Sequence, residues 1–340
     1  MRRARLISAE RVVLEEFDPE EPREDEVRLS VEFCGICGSD VHAYFNKHPF
    51  IKLPRVPGHE CSAVIEKLGA SVVGLQVGQR VTLIPQLACG KCHNCRNGRY
   101  NICENLRVIG AQVDGAMSEL FNVDSSLVIS IPDEISLEEA ALIEPLAVAV
   151  RAVKAAGGLL GKKVVVLGSG AIGLFIAQVS KAAGVSAVVS TDVSEFRLKL
   201  AKELGADVVV NARETPITRD ALSSLVPEGR IDVAFEAVGI ESTIRQAIES
   251  VAKGGTVIVV GVFGDETRVN MGLIQDREIR VQGSLMYLRE DFQDAISLMS
   301  RKLVKVRPLI THISDLDHVK DAFRTATLRE RAVKVLVRIR

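Results

Sequence analysis

Gly168-Ser169-Gly170-Ala171-Ile172-Gly173 stands directly after an apolar run, KKVVVL, and leads into IGLFIAQVSKAAG, a stretch with helical spacing. A Gly-x-Gly-x-x-Gly sequence flanked in this way has few folds open to it. The first glycine permits a tight turn, the second lets the backbone approach a pyrophosphate, and the third lets the helix pack on the strand. N–H groups at the helix start then hold the anion. Asp192 ends the next apolar run nineteen residues after Gly173, the spacing of an acid that accepts hydrogen bonds from a ribose 2′-hydroxyl. A 2′-phosphate would meet a like charge there, so the pattern favours NAD over NADP. Arg197 is placed to lie against the adenine, although an arginine near this position also serves 2′-phosphates in some proteins.

The alternation begun by KKVVVL continues through SAVVSTD, DVVVN, VAFEAVG, TVIVVG and IRVQG, with helical stretches such as EFRLKLAKELG and TIRQAIESVAKGG between them. Strands alternating with helices predict a doubly wound parallel sheet, an α/β architecture. The first 130 residues read differently. Short β-branched runs such as EVRLSVEF, SAVIEKLG and QRVTLIP, broken by Gly and Pro, predict a β-rich, loop-heavy domain. Ser136-Leu-Glu-Glu139 is a capping box that opens one apolar helix, AALIEPLAVAVRAV, and the boundary falls along it. After Ser284, DFQDAISLMSRK is helical and AVKVLVRI reads as a strand returning to the first domain. The division is therefore 1–146 with 285–340 for the β-rich domain, and 147–284 for the dinucleotide-binding domain.

Lysine and arginine (43) nearly cancel aspartate and glutamate (44), leaving a net charge of −1. No broad field draws such a chain to nucleic acid or an anionic membrane, which makes a small molecule the expected partner. The opening MRRARLISAERVVLEEFDPEEPRED lacks the apolar stretch of a secretory signal, so the cytoplasm is the expected location. Val164 to Ser180 is uncharged but contains clustered glycine and serine, and reads as strand, loop and helix rather than a membrane span. Seven cysteines are an odd number, and four crowd into fifteen positions. In a reducing compartment that suggests metal ligation more than disulfides.

Cys89, Cys92, Cys95 and Cys103 have intervening stretches of two, two and seven residues. Four thiolates so spaced can wrap one ion tetrahedrally and close it against water, which predicts a structural zinc in a lobe over 85–106. The bacterial ferredoxin spacing, with its terminal Cys-Pro, is missing, which argues against an iron–sulfur cluster. His93 sits within the lobe and reads as a surface residue.

The remaining cysteines are Cys34, Cys37 and Cys61. The first two lie in "CGICGSDVH", where the CxxC reads as half a zinc knuckle, a redox pair, or one ligand beside a bystander. Two other fragments carry chemistry: Pro57-Gly58-His59-Glu60, and Glu144-Pro145 within the apolar helix. A carboxylate buried among Ala, Leu, Ile and Val is costly unless it is paired or binds a metal, so Glu144 needs a partner.

CGICGSDVH, GHE, the four-cysteine lobe, EP and GxGxxG occur in the order found in the zinc-dependent medium-chain alcohol and polyol dehydrogenases, which the chain resembles over essentially its whole length. The resemblance implies a GroES-like catalytic domain beside the Rossmann domain, and two zinc ions per chain. It implies a catalytic zinc held by Cys37, His59 and an acid, either Glu60 or Glu144, with the choice open. It makes Asp40 the carboxylate that orients His59, and Ser39 and His42 a proton relay. Further cofactor contacts carried over by position are Val260, Gly261, Val262, Ser284, Leu285 and Met286. Cys34 then reads as a small buried residue. Homodimers or homotetramers are implied as well.

Glu144 with GSDVH is similar to the polyol branch. Sorbitol dehydrogenases, however, carry Tyr where this chain has Ala43, and Arg-Tyr where it has Met286-Tyr287. His48-Pro49-Phe50 is similar to bacterial enzymes that oxidise hexonates such as L-galactonate, and Lys47, His48 or Arg289 would supply the cation for an acidic sugar. The expected reaction is hydride transfer from a secondary alcohol of a polyol or sugar acid to NAD+. L-Threonine 3-dehydrogenase, a simpler secondary-alcohol dehydrogenase, a zinc-free reductase and a silent NAD-sensing protein are the alternatives.

Overall fold

A computed structural model describes residues 1–226, 229–328 and 330–340 and divides into two compact units. One comprises Met1–Glu144, Leu288–Ile296 and Leu309–Arg340; the other comprises Pro145–Tyr287 and Ser297–Pro308. The sequence reading gave all of 285–340 to the first unit, whereas residues 285–287 and 297–308 belong with the second. Gln178 shows why: its amide accepts from Lys305 N–H at 2.8 Å and donates to the Lys305 carbonyl at 3.2 Å, pinning that segment.

The first unit begins with a hairpin, β1 (Arg2–Ser8) and β2 (Arg11–Glu16). The long β3 (Glu26–Ile36) leads into helix α1 (Gly38–Tyr44), followed by β4 (Glu60–Leu68) and β5 (Arg80–Leu83). The cysteine lobe is bracketed by β6 (Gln86–Leu87) and β7 (Arg107–Val108) and contains the short α2 (His93–Arg96). Strands β8 (Leu120–Asp124) and β9 (Val128–Ser130) follow. Residues 137–155 then form two helices, α3 (Leu137–Ala140) and α4 (Ile143–Ala155).

The Ser136–Glu139 capping box is present as read, with the Ser136 hydroxyl accepting from Glu139 N–H at 3.2 Å. The single helix expected from it is not. Pro145 has no N–H, and its ring clashes with the carbonyl four residues back, so the helix breaks after Ala140 and restarts at Ile143. Pro145 thus sits in a first turn, where it is tolerated.

The second unit contains β10 (Lys163–Leu167), α5 (Ala171–Ala182), β11 (Ala187–Asp192), α6 (Glu195–Glu203), β12 (Val208–Asn211) and α7 (Arg219–Ser223). It continues with β13 (Val233–Glu236), α8 (Glu241–Ser250), β14 (Thr256–Val259), α9 (Met271–Asp276) and β15 (Arg280–Gly283). These strands form one parallel sheet in the order β12-β11-β10-β13-β14-β15. Every residue of β10 is buried. Helices cover both faces of such a sheet, so its central strand is uniformly apolar rather than alternating. The stretch 164–180, read as strand, loop and helix, is β10, a turn and most of α5. No helix among the described residues is long and apolar enough to cross a membrane.

The chain then passes along α10 (Arg289–Ser300) to β16 (Ile310–Asp315), α11 (Val319–Ala326) and β17 (Lys334–Arg338). The main sheet of the first unit runs β16-β17-β3-β4-β5-β9, with β8 also on β3. β17 is therefore the returning strand read from AVKVLVRI, antiparallel to β3 with Val337 opposite Cys34. Leu29, Val31, Ile65, Leu83, Phe323 and Val337 lie in its buried core.

Candidate metal centre and dinucleotide site

The cysteine lobe is built almost wholly by local backbone. Cys92 caps α2, its sulfur accepting from Cys95 N–H at 3.5 Å. Cys89 N–H and Asn105 N–H donate to Cys103 Sγ at 3.2 and 3.4 Å, and Cys92 N–H donates to Cys89 Sγ at 3.4 Å. Such donors favour thiolates, and those from Lys91 and Cys92 bring the Cys89 thiol down to about 6. The sulfur pairs Cys89–Cys95 and Cys92–Cys103 are each 4.0 Å apart. A tetrahedron with Zn–S arms of about 2.3 Å has edges of about 3.8 Å, so the four sulfurs fit a zinc ion.

The second cluster is assembled from distant segments. Cys37 follows β3 and caps α1, while His59 immediately precedes β4 and Glu60 opens it. Gly35 pairs with Glu60 across the two strands. A Cβ at Gly35 would stand 2.2 Å from Glu60 Oε2, so only glycine lets that carboxylate lie over the strand. One donor atom from each of Cys37, His59 and Glu60 lies within 4.8 Å of the others. Among the described residues, this trio and the cysteine lobe are the two groups able to hold a metal. Cys34 and Cys61 belong to neither. These two face one another across β3 and β4. Burial pushes Cys34 well above the usual thiol range and Cys61 up to about 12, so both stay protonated.

Three buried carboxyl groups, Asp40, Glu60 and Glu144, crowd this region together with the Cys37 thiol. Glu144 stands in the first turn of α4, where the helix dipole favours an anion. It lies outside the trio but close enough for its charge to raise His59, Cys61 and Lys334. Burial works against a charged His59, yet Asp40, Cys37 and Glu144 outweigh it and hold the imidazole well above its ordinary value. Thiol, imidazole and carboxylate donors gathered this closely are the ligands zinc takes, so the donor set fits zinc.

The sequence reading missed Lys334. From β17 its Nζ donates to both oxygens of Glu60 at 2.6 Å and to the Ile36 carbonyl at 3.4 Å. Both side chains are almost inaccessible, at 4% and 1%. Burial alone would lower the lysine, but Glu60, Cys37 and Glu144 raise it. The signal was present in AVKVLVRI, where a lysine interrupts an apolar strand.

Asp40 bonds within its own turn. Its Oδ2 accepts from Cys37 N–H at 2.9 Å, which fixes the ligand-bearing turn. Asp40 Oδ1 and His59 Nδ1 are both buried without a hydrogen-bond partner among the described residues, and the two residues interact through charge. Burial raises Asp40, with His59 partly offsetting it. Ser39 and His42 stand three apart on α1, both half-buried, and therefore share one helix face.

Of the residues read as cations for an acidic substrate, Arg289 is committed elsewhere. Its guanidinium donates to the Ser126 and Val128 carbonyls at 2.6 and 3.1 Å. Lys47 lies over the Phe45 ring, 6.0 Å from its centroid. His48 is half-buried, and burial together with His42 and His59 lowers it, favouring the neutral ring.

In the second unit, Gly168 turns the chain at the end of β10, and Gly170 caps α5 without a side-chain bond, leaving the first helical N–H groups to an anion. A Cβ at Gly173 would stand 1.8 Å from the Gly168 carbonyl, so the close turn requires glycine there. Ala171 and Ile172 form the first turn of α5. Asp192 ends β11; its carboxylate accepts from Ser169 N–H at 2.7 Å and from Val193 and Ser194 N–H at 2.8 and 3.0 Å, which ties it to the glycine turn. Arg197 reaches the same place, one guanidinium nitrogen lying 3.8 Å from where a Gly170 Cβ would be. Val260, Gly261 and Val262 follow β14, and Ser284, Leu285 and Met286 follow β15. Ser284 N–H donates to the Val259 carbonyl at 2.8 Å, while its hydroxyl is buried without a partner among the described residues. The glycine turn, the fixed acid and these strand-end segments make a cradle that fits a dinucleotide.

A family model described as alcohol dehydrogenase GroES-like domain matches residues 23–133, and one described as zinc-binding dehydrogenase matches residues 171–301. Sorbitol dehydrogenase of Bacillus subtilis is 32% identical over 99% of this chain and 97% of its own length. L-Idonate 5-dehydrogenase of Vitis vinifera is 34% identical, covering 92% and 87%. A crystal structure described as a short chain alcohol dehydrogenase from E. coli CFT073 complexed with the cofactor NADH superposes with a TM-score of 0.93 at 30% identity, covering 100% of this chain and 99% of that one. With its GroES-like and Rossmann units, its two zinc-fitting clusters and its dinucleotide cradle, the chain belongs to the zinc-dependent medium-chain polyol dehydrogenases, oxidoreductases that use zinc and a nicotinamide dinucleotide.

Proposed function

We propose that the protein oxidises a secondary hydroxyl of a polyol, with NAD+ as hydride acceptor. The observation that carries this reading is the mixed donor set Cys37, His59 and Glu60, with Glu144 close beside it, which differs from the closed all-thiolate lobe. Zinc in that set would supply Lewis acidity to a substrate hydroxyl, and the dinucleotide would take the hydride. The chain's own residues do the rest. Lys334 grips both oxygens of Glu60 and would hold that carboxylate in place beside the ion, with Glu144 as a second acid at hand. Asp40 fixes the Cys37 turn. Ser39 and His42, on one face of α1, carry the released proton outward. Asp192, held by three N–H groups, supports NAD over NADP because a 2′-phosphate would face its charge.

A hexonate substrate is a second reading, favoured by His48-Pro49-Phe50 and by the similarity to L-idonate 5-dehydrogenase. The engaged guanidinium of Arg289 and the lowered His48 support the neutral polyol instead. NADH formation across polyols, hexonates, L-threonine and simple secondary alcohols tests both readings. A higher kcat/KM for a hexonate than for the polyol of the same configuration would replace the first with the second.

We further propose a homodimer or homotetramer. All four residues of β15 are exposed at the sheet edge, a row of unpaired backbone groups that invites a second copy. Light scattering that finds a monomer at micromolar concentration would end that proposal. Seven unpaired cysteines support the cytoplasm as the working compartment.

A further inference from the structure

Glu236 ends β13 and is fully buried at the carboxyl edge of the parallel sheet. Its Oε1 accepts from the N–H groups of Val238 and Gly239 at 2.9 and 2.8 Å and from the Thr243 hydroxyl at 2.7 Å. Its main-chain carbonyl accepts from Val260 N–H at 2.9 Å and Gly261 N–H at 3.0 Å. One residue thus ties the turn after β13 to the turn after β14. The other carboxylate oxygen, Oε2, is buried with no hydrogen-bond partner among the described residues. It faces Gly261, where a Cβ would stand 2.6 Å from it and 2.3 Å from Gly239 N, so the two turns touch backbone to backbone.

The outer surface of these turns is apolar. Val238, Ile240 and Val262 are 39%, 50% and 52% exposed, and Leu285, after β15, is 50% exposed. Apolar side chains gathered at the carboxyl edge of such a sheet mark a place where a ligand covers them. The strands β13, β14 and β15 lie across β10 from β11, which carries Asp192. A dinucleotide crossing the reversal of strand order puts one half on each side. Adenosine goes to Asp192, and the nicotinamide half goes to the turns that Glu236 holds.

We propose that Glu236 is a positioning residue that locks turns 237–239 and 260–262 into one wall for the nicotinamide half of the cofactor. The proposal rests on the dinucleotide reading of this unit. Without the carboxylate, the N–H groups of Val238 and Gly239 lose their acceptor and turn 237–239 loosens against turn 260–262, which keeps its bonds to the Glu236 main-chain carbonyl, while the glycine turn and Asp192 keep their own bonds.

The test compares NADH, followed by its fluorescence, with ADP, followed by calorimetry, on the purified zinc-replete protein. Glu236→Ala raises the Kd for NADH by about tenfold or more and leaves that for ADP within about twofold. Glu236→Gln, which keeps an acceptor at Oε1, recovers most of the loss. Thr243→Val removes one hydroxyl, weakens NADH by about threefold with ADP unchanged, and serves if the alanine variant does not fold. Equal weakening of both ligands, or unchanged NADH affinity in the folded variants, overturns the assignment. Wild-type protein that binds neither ligand removes the dinucleotide reading itself, and the wall with it.

Discussion

The two metal-fitting clusters of the first unit are opposites in construction. The lobe draws all its donors from fifteen consecutive positions, Cys89 to Cys103, and local N–H groups shape it. The second cluster brings together Cys37 after β3, His59 and Glu60 at the start of β4, Glu144 of α4 and Lys334 of β17, is largely buried, and mixes sulfur, imidazole and carboxylate. Four thiolates satisfy an ion completely and leave it nothing to do but hold the backbone. A mixed set with carboxylates that have other partners leaves room for a substrate.

Substitutions on either side should separate these roles. Cys37→Ser is expected to lower kcat by about a thousandfold or more and to reduce zinc from two ions to one per chain, with little change in melting temperature. Cys95→Ser should also cost one zinc, but with a clear fall in melting temperature. Metal analysis with thermal unfolding checks both, and an identical response would erase the distinction. Lys334→Met comes next. Removing one member of a buried ion pair costs about 3–5 kcal/mol, and Lys334→Arg should restore most of it. Folding raises the lysine, so its contribution is complete below its ordinary value of about 10.4 and fades only as the pH climbs past the folded value. Denaturant melts between pH 7 and 9 should therefore show the same deficit for Lys334→Met throughout.

Thiol labelling is a finer probe. After chelation, iodoacetamide at pH 7 should reach Cys89, whose thiol titrates at about 6, before Cys95, raised to about 12, while Cys34 and Cys61 stay unlabelled until unfolding. The smallest expected effect is that of Cys34→Ser, with both zinc ions retained and kcat within about twofold of wild type, since only the thiolate of a ligand cysteine serves the ion. Loss of zinc in that variant would show Cys34 to be a ligand.

The same contrast explains what could be read in advance. The lobe was legible because its geometry is local, and the parallel sheet because uniformly apolar strands announce burial on both faces. Cys37, His59 and Glu60 were reached through a resemblance rather than spacing. Lys334 escaped because its partner lies 274 positions away, and no periodicity links such residues. Asp40 was likewise reached through the resemblance, and its bond to the Cys37 N–H depends on the cap of a seven-residue helix. The break before Pro145 was open to sequence reasoning, since a proline inside a helical pattern signals a restart.

The placement of β17 bears on how the protein is made. The second unit draws most of its residues from one continuous stretch, Pro145–Tyr287, and can form while synthesis continues. The first must wait for β17, because this partner of β3 carries the ammonium facing Glu60, encoded 274 positions after the acid it serves. A nascent chain therefore gains its nucleotide fold before it can balance the charges of its metal centre. Loss of β17 would strike chemistry encoded far back along the chain.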